Sequence, residues 1–332
     1  MAIDRNRIRF YGRHANHEGC DYFSYSASGF EVLLSCKGSE ASVSFIFDSV
    51  VREIDKQFVS IYVDDVFHGK AEIRPGKQTV TVDVADGGHP VSVRLIKVNE
   101  VYLSELTLED VVLEDAELLP IAPSERMLLT VYGDSVSCGY GLLADSPEEL
   151  FCAENEDATE TYGYLAAQKL GLDYEIVARS GISIGIPIFC DVLFNEIYDK
   201  VDLFEDLKER RAPDFAVINL GTNDSLALDA MNEEQKESAR KQFLYEYRHL
   251  AERIAADNPN VVMVLCHNSV RELDSGLLSA IETVRDEMRR KYGIRCDMFE
   301  MYPDQGGANW HPNKAAHHEN AKRLAALITK LY

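Results

Sequence analysis

The sequence predicts two domains of different class, an all-β sandwich followed by an α/β domain on a parallel sheet. Three observations carry this. Residues 1–112 alternate apolar and polar side chains with period two and contain no helix-length periodic segment. From Met127 onward, short apolar runs bounded by turns alternate with helical stretches. Between them, "LEDAELLPIAPSER" (113–126) combines Pro120, Pro123 and several acids, and reads as the connection. A chain of 332 residues exceeds the usual single-domain range and suits the division.

In the first half, "EVLLSCKG", "ASVSFIFD", "QFVSIYVDD", "QTVTVDVADGG" and "PVSVRLIKV" each read as a strand with one face in a core. Strands joined by turns, with no helix between them, predict an antiparallel sandwich. The second half places strands at "LLTVYG", "YEIVAR", "DFAVINLG", "VVMVLCHN" and "RCDMFEM". Its clearest helices are "NEEQKESARKQFLYEYRHLAERIAADNP", "GLLSAIETVRDEMRRKYG" and "KAAHHENAKRLAALITKLY". The domains expected are 1–120 (β-sandwich), 121–126 (linker) and 127–332 (α/β).

Composition limits the partners. A formal charge of −22 repels phosphate backbones and anionic membranes, so neither nucleic acid nor a membrane is expected as a partner. Neutral substrates fit better, although an acidic surface also serves solubility. The start, "MAIDRNRIRFYGRH", has no apolar segment like a signal peptide, and the longest apolar runs fall short of a membrane span. Cys20, Cys36, Cys138, Cys152, Cys190, Cys266 and Cys296 are scattered without CxxC spacing. They read as free thiols in a reducing compartment, so a cytoplasmic location is expected and no zinc site.

In parallel α/β folds, ligands gather at the carboxyl ends of strands. Four such ends carry chemistry here: "YGDSVSCGYG" with Ser135, "VARSGISIG" with Gly181, "NLGTNDS" with Asn223, and "NWHPN" with His311. Acyl transfer needs each of these parts. A serine hydroxyl becomes a nucleophile when an adjacent base accepts its proton, and histidine is the usual base. The oxyanion of the tetrahedral intermediate needs donors already aimed at it. The amides of Ser135 and Gly181 and the side chain of Asn223 are the candidate oxyanion hole. The alternative reading of Gly133-Asp134-Ser135 is an ordinary strand-ending turn.

These ordered blocks resemble those of the SGNH, or GDSL-type, hydrolases. The closer resemblance is to carbohydrate esterase family two, also through "RFYGRH" and "HPVSVRLIKVNE" near the amino terminus. That resemblance implies a jelly roll before a flavodoxin-like SGNH domain. It also implies O-deacetylation of plant polysaccharides such as xylan or glucomannan, with no metal or cofactor. Ser135 would be the nucleophile and His311 the base. A short-chain lipase or thioesterase would use the same machinery with a longer acyl pocket, and a degenerate site would only bind carbohydrate.

One feature departs from the family pattern. Many SGNH enzymes carry an aspartate two or three residues before the histidine, and here Asn309 and Ala308 stand there. Asp304 is the nearest upstream acid. Two arrangements remain open: a backbone carbonyl accepts the Nδ1 proton of His311, or the side-chain oxygen of Asn309 does. Either makes a Ser–His dyad, in which Asn309→Asp is expected to keep or raise activity. Trp310 could stack on a sugar ring or brace its loop. His267 and Asn268, ending the fourth strand, are further candidates for substrate contact. Asp134 and Asp224 read as turn organisers, Cys138 as a small filler, and His317 and His318 as surface histidines. The oligomeric state is not legible.

Overall fold

The computed structural model describes residues 4–37, 40–85 and 87–332. The chain divides between Glu125 and Arg126 into two compact units.

The first unit comprises strands β1 (Ile8–Tyr11), β2 (Ala15–His17), β3 (Cys20–Phe23), β4 (Gly29–Cys36), β5 (Ala41–Val51) and β6 (Gln57–Val63), then β7 (Val66–Ile73), β8 (Gly76–Val84), β9 (Val91–Lys97), β10 (Ser104–Glu114) and β11 (Ala116–Leu119). They form two antiparallel sheets. One has the order β1-β4-β9-β6-β7 with β11 also paired to β4, and the other the order β2-β3-β10-β5-β8. Period-two patterning drives the burial: Ala41, Val43, Phe45 and Phe47 of β5 are buried while the residues between them are partly exposed. They meet Phe30, Val32, Val93 and Leu95 from the facing sheet in one apolar core.

The connection expected at 113–126 is shorter. β10 runs through Glu114, and β11 pairs Ala116–Leu119 with β4. Of the acids that suggested a linker, Glu114 ends β10 and Glu117 lies on β11, both exposed, with left-handed Asp115 (φ 48°) turning the chain between the two strands. Pairing ends where Pro120 removes a backbone donor.

The second unit follows in the order β12 (Leu128–Gly133), α1 (Ser135–Cys138), α2 (Tyr162–Leu170), β13 (Asp173–Ala178), α3 (Phe194–Ile197), β14 (Phe215–Asn219), α4 (Thr222–Leu228), α5 (Glu233–Asp257), β15 (Val262–His267), α6 (Ser275–Lys291), β16 (Arg295–Glu300) and α7 (Lys314–Leu331). All five strands are parallel, in the order β13-β12-β14-β15-β16. β12, β13 and β14 are buried along their whole length, which is why they read as continuous apolar runs. This strand order places the topological switch between β12 and β14, where connections leave in opposite directions and open a crevice. Ser135 follows β12 and Asn223 follows β14. Among the described residues, no helix is long and apolar enough to cross a membrane.

Candidate active site

The segment carrying Ser135 is short and regular. β12 ends at Gly133, and Asp134 caps α1 by accepting the Val136 amide at 3.1 Å. Ser135 therefore opens a helix rather than sitting in a simple turn. α1 closes after one turn at Gly139, whose left-handed conformation (φ 87°) lets its amide reach the Ser135 carbonyl. On this fixed backbone Ser135 is buried, at 8% exposure.

The partner of that hydroxyl is His311, with Nε2 2.9 Å from Ser135 Oγ. Nδ1 lies 3.2 Å from the carbonyl oxygens of both Ala308 and Asn309. Carbonyls only accept, so the neutral ring carries its proton at Nδ1 and presents a bare Nε2 to the serine hydroxyl. Burial draws the imidazole pKa below its ordinary value, and the two carbonyls pull the other way. The ring is thus held neutral, the form a general base requires.

Of the two arrangements left open by the sequence, the backbone one is present. Asn309 does face Nδ1, but through its main chain. Its side-chain amide instead donates to Tyr140 Oη at 2.8 Å. The geometry follows from consecutive left-handed residues, Asn309 (φ 48°) and Trp310 (φ 63°), which turn the carbonyls inward. Asp304 serves the loop itself, accepting from the amides of Gly306 at 2.7 Å and Asn313 at 3.4 Å.

The candidate oxyanion donors sit in an equally fixed setting. Asn223 is buried on the first turn of α4 and donates to the Ile182 carbonyl at 2.8 Å. One amide hydrogen is thereby fixed, which orients the other. Gly181 has φ +76°, and a Cβ there would come within 2.8 Å of the Phe189 Cβ, so both backbone and space call for glycine. Asp224 ties the two blocks together. Its buried carboxylate accepts the amides of Ile184 at 3.1 Å and of Gly185 and Ile186 at 2.8 Å. Burial lifts its pKa to about 6 against the opposing pull of those amides.

The remaining residues divide. Trp310 is 53% exposed beside His311. Asn268 is engaged in its own turn, donating to Glu300 at 3.2 Å and accepting the Leu273 amide at 3.1 Å. His267 ends β15 with its Nδ1 buried and lacking a hydrogen-bond partner. Cys138 is buried in α1. The expectation of two surface histidines holds only for His318, which bonds Glu160 at 2.6 Å. His317 is buried and accepts the Tyr162 amide through Nδ1 at 3.2 Å. Its position facing α2 was hidden because the sequence reading missed α2, a short, tyrosine-rich segment.

Tyr140 was missed altogether. Its ring stacks on Phe151 with centroids 4.2 Å apart and lies 4.5 Å from the His311 ring. The only signal was its place between two glycines after the serine, and that says nothing about a partner so distant in sequence.

A profile described as the GDSL-like Lipase/Acylhydrolase family matches residues 131–319. The cellulase/esterase CelE of Acetivibrio thermocellus is 25% identical over 319 residues, or 91% of this chain. The chain spans 37% of the length of that relative. A family two carbohydrate esterase from Clostridium thermocellum, solved with cellohexaose, superposes with a TM-score of 0.84 at 23% identity, covering 97% of this chain and 98% of the other. The acetyl xylan esterase Est2A from Butyrivibrio proteoclasticus gives 0.82 at 18% identity, covering 99% and 96%. At these identities the structural likeness speaks to the fold, which extends over both units of the chain. The profile match covers more than half of the sequence and includes Ser135, Gly181, Asn223 and His311, and the chain belongs to the GDSL-like lipase/acylhydrolase family.

Proposed function

We propose that the chain is a serine esterase that removes O-acetyl groups from plant polysaccharides or their oligosaccharides, xylan and glucomannan among them. The observation that carries this reading is the 2.9 Å approach of His311 Nε2 to Ser135 Oγ, with the far side of the ring on main-chain carbonyls. Likeness to family two carbohydrate esterases supports the substrate class, as does an acidic surface compatible with neutral sugars. On the same likeness, the first unit is read as a jelly roll and the second as a flavodoxin-like SGNH domain.

Ser135 Oγ attacks the acetyl carbonyl as His311 Nε2 takes its proton. The amides of Ser135 and Gly181 and the Asn223 side chain receive the negative charge on the carbonyl oxygen. The intermediate collapses, the C–O bond to the sugar breaks, and His311 returns the proton to the departing alkoxide. Water then gives a proton to His311, attacks the acetyl-serine, and acetate leaves as Ser135 regains its hydrogen. Trp310 offers an exposed aromatic face to the sugar ring.

The test is acetate release from acetylated xylan and acetylated glucomannan, followed by proton NMR. Wild type should release acetate, and Ser135→Ala should lower the rate by ~10³-fold or more with the fold intact. Equal release by both proteins, or none from folded wild type, would overturn the assignment.

A further inference from the structure

We infer that Tyr140 is a positioning residue that holds the His311 loop in its working shape, in place of an acid bonded to the imidazole. The inference rests on the serine–histidine reading. His311 Nδ1 meets two main-chain carbonyls, so the ring is only as well placed as the backbone at Ala308 and Asn309. That backbone is left-handed at Asn309 and Trp310, a conformation non-glycine residues keep only when their surroundings impose it. The amides on this stretch are accepted from two sides. Ala308 donates to the Gly141 carbonyl at 2.9 Å, and Asn309 to the Glu149 carbonyl at 3.2 Å.

Tyr140 supplies the side-chain part of this mould. Its hydroxyl accepts the Asn309 amide at 2.8 Å, its ring packs on His311, and Phe151 backs it from behind. Its own amide donates to the Ser135 carbonyl at 3.1 Å, so one residue is tied to both members of the dyad. An imidazole bonded to a carboxylate is oriented by that single contact. Here the same orientation is distributed over a tyrosine, an asparagine and the peptide they fix.

Four variants test this with p-nitrophenyl acetate: Tyr140→Phe, Tyr140→Ala, Asn309→Ala, and Tyr140→Phe combined with Asn309→Ala. Tyr140→Phe keeps the ring between Phe151 and His311 and removes only the acceptor, so folding is preserved. Tyr140→Phe and Asn309→Ala should each lower kcat roughly three- to tenfold at unchanged KM, the worth of one neutral hydrogen bond. The double variant should fall no further than the worse single, because both break the same contact. Tyr140→Ala should cost about 10²-fold in kcat through misplacement of the base. Nitrogen-15 NMR gives a readout independent of turnover: the His311 Nδ1–H signal should be resolved in wild type and broadened in Tyr140→Phe. Multiplicative losses in the double variant, or an unchanged Nδ1–H signal, would overturn the role. If wild type shows no Ser135-dependent turnover, the esterase reading fails, while the Nδ1–H comparison still decides whether Tyr140 holds the loop.

Discussion

The segments presenting Ser135 and His311 are built by different means. Residues 133–141 follow local rules: a buried strand stops at glycine, an aspartate caps one helical turn, and a left-handed glycine closes it. Residues 304–313 combine local bonds, Asp304 accepting the Gly306 and Asn313 amides and Gly307 donating to the His311 carbonyl, with support from far away. Their 3-10 turn contains left-handed Asn309 and Trp310, and it is held from outside by Gly141, Glu149 and Tyr140, all more than 150 positions earlier in the chain. Ser135 is held by its own sequence neighbours, whereas the His311 loop is held in addition by residues 140–149, which follow the Ser135 segment. An orienting acid can therefore be absent, since a backbone fixed from outside supplies the acceptors.

After the loss expected for Ser135→Ala, the largest effect falls on a third segment against which this contrast can be judged. Asn223→Ala removes an oriented donor from a buried site, and kcat should fall by ~10²–10³ with little change in KM. Steady-state kinetics on p-nitrophenyl acetate checks this, and a loss confined to KM would remove Asn223 from the oxyanion hole.

Gly141→Ala attacks the join between the two segments. Gly141 has φ +64°, and an added Cβ would lie 2.6 Å from the Ala308 Cβ, beside the carbonyl that faces His311. We expect roughly a tenfold drop in kcat together with a melting temperature several degrees lower, since both strain and a displaced loop follow. A melting shift with kcat intact would mean that the histidine loop keeps its shape without the mould, and the contrast would weaken.

The smallest effect concerns pH and stability. Burial holds the pKa of His317 at about 3, with His311 and His318 adding repulsion. Between that value and about 6.5 the unfolded chain binds a proton that the folded chain refuses. Stability from this group is therefore present above about 6.5 and is lost as pH falls toward 3. His317→Gln retains an acceptor for the Tyr162 amide and removes the titration. Its melting temperature should decline less than that of wild type between pH 7 and pH 4.5, and parallel curves would contradict the assignment.

Much of this molecule was legible from local patterning. The five parallel strands, the three long helices and the five β-domain strands read by alternation all lie within a few residues of their observed positions. The glycines, Ser135 and Asn223 were legible for the same reason, because strand ends and their turn residues are marked in sequence, whereas His311 lies in a loop well past the end of β16 and was legible only from its NWHPN block. β10 and β11 were not read, because their exposed acids resemble a linker until a paired neighbour gives them an outward face. α2 was missed because its apolar face carries tyrosines and alanines rather than a strong leucine stripe.

The sequence alone determined the two-part architecture, the order of chemical groups along the α/β half and the absence of an acid two or three residues before His311, where Asn309 and Ala308 stand. Those properties depend on residue type and near neighbours. Only the tertiary structure decided which groups face His311 Nδ1, that the Asn309 side chain turns away from the imidazole, and that Tyr140 links the loop to α1. Main-chain carbonyls exist at every residue, so composition cannot mark which ones serve as acceptors. Their direction is set by backbone torsions, and those are fixed here by contacts across most of the domain's sequence.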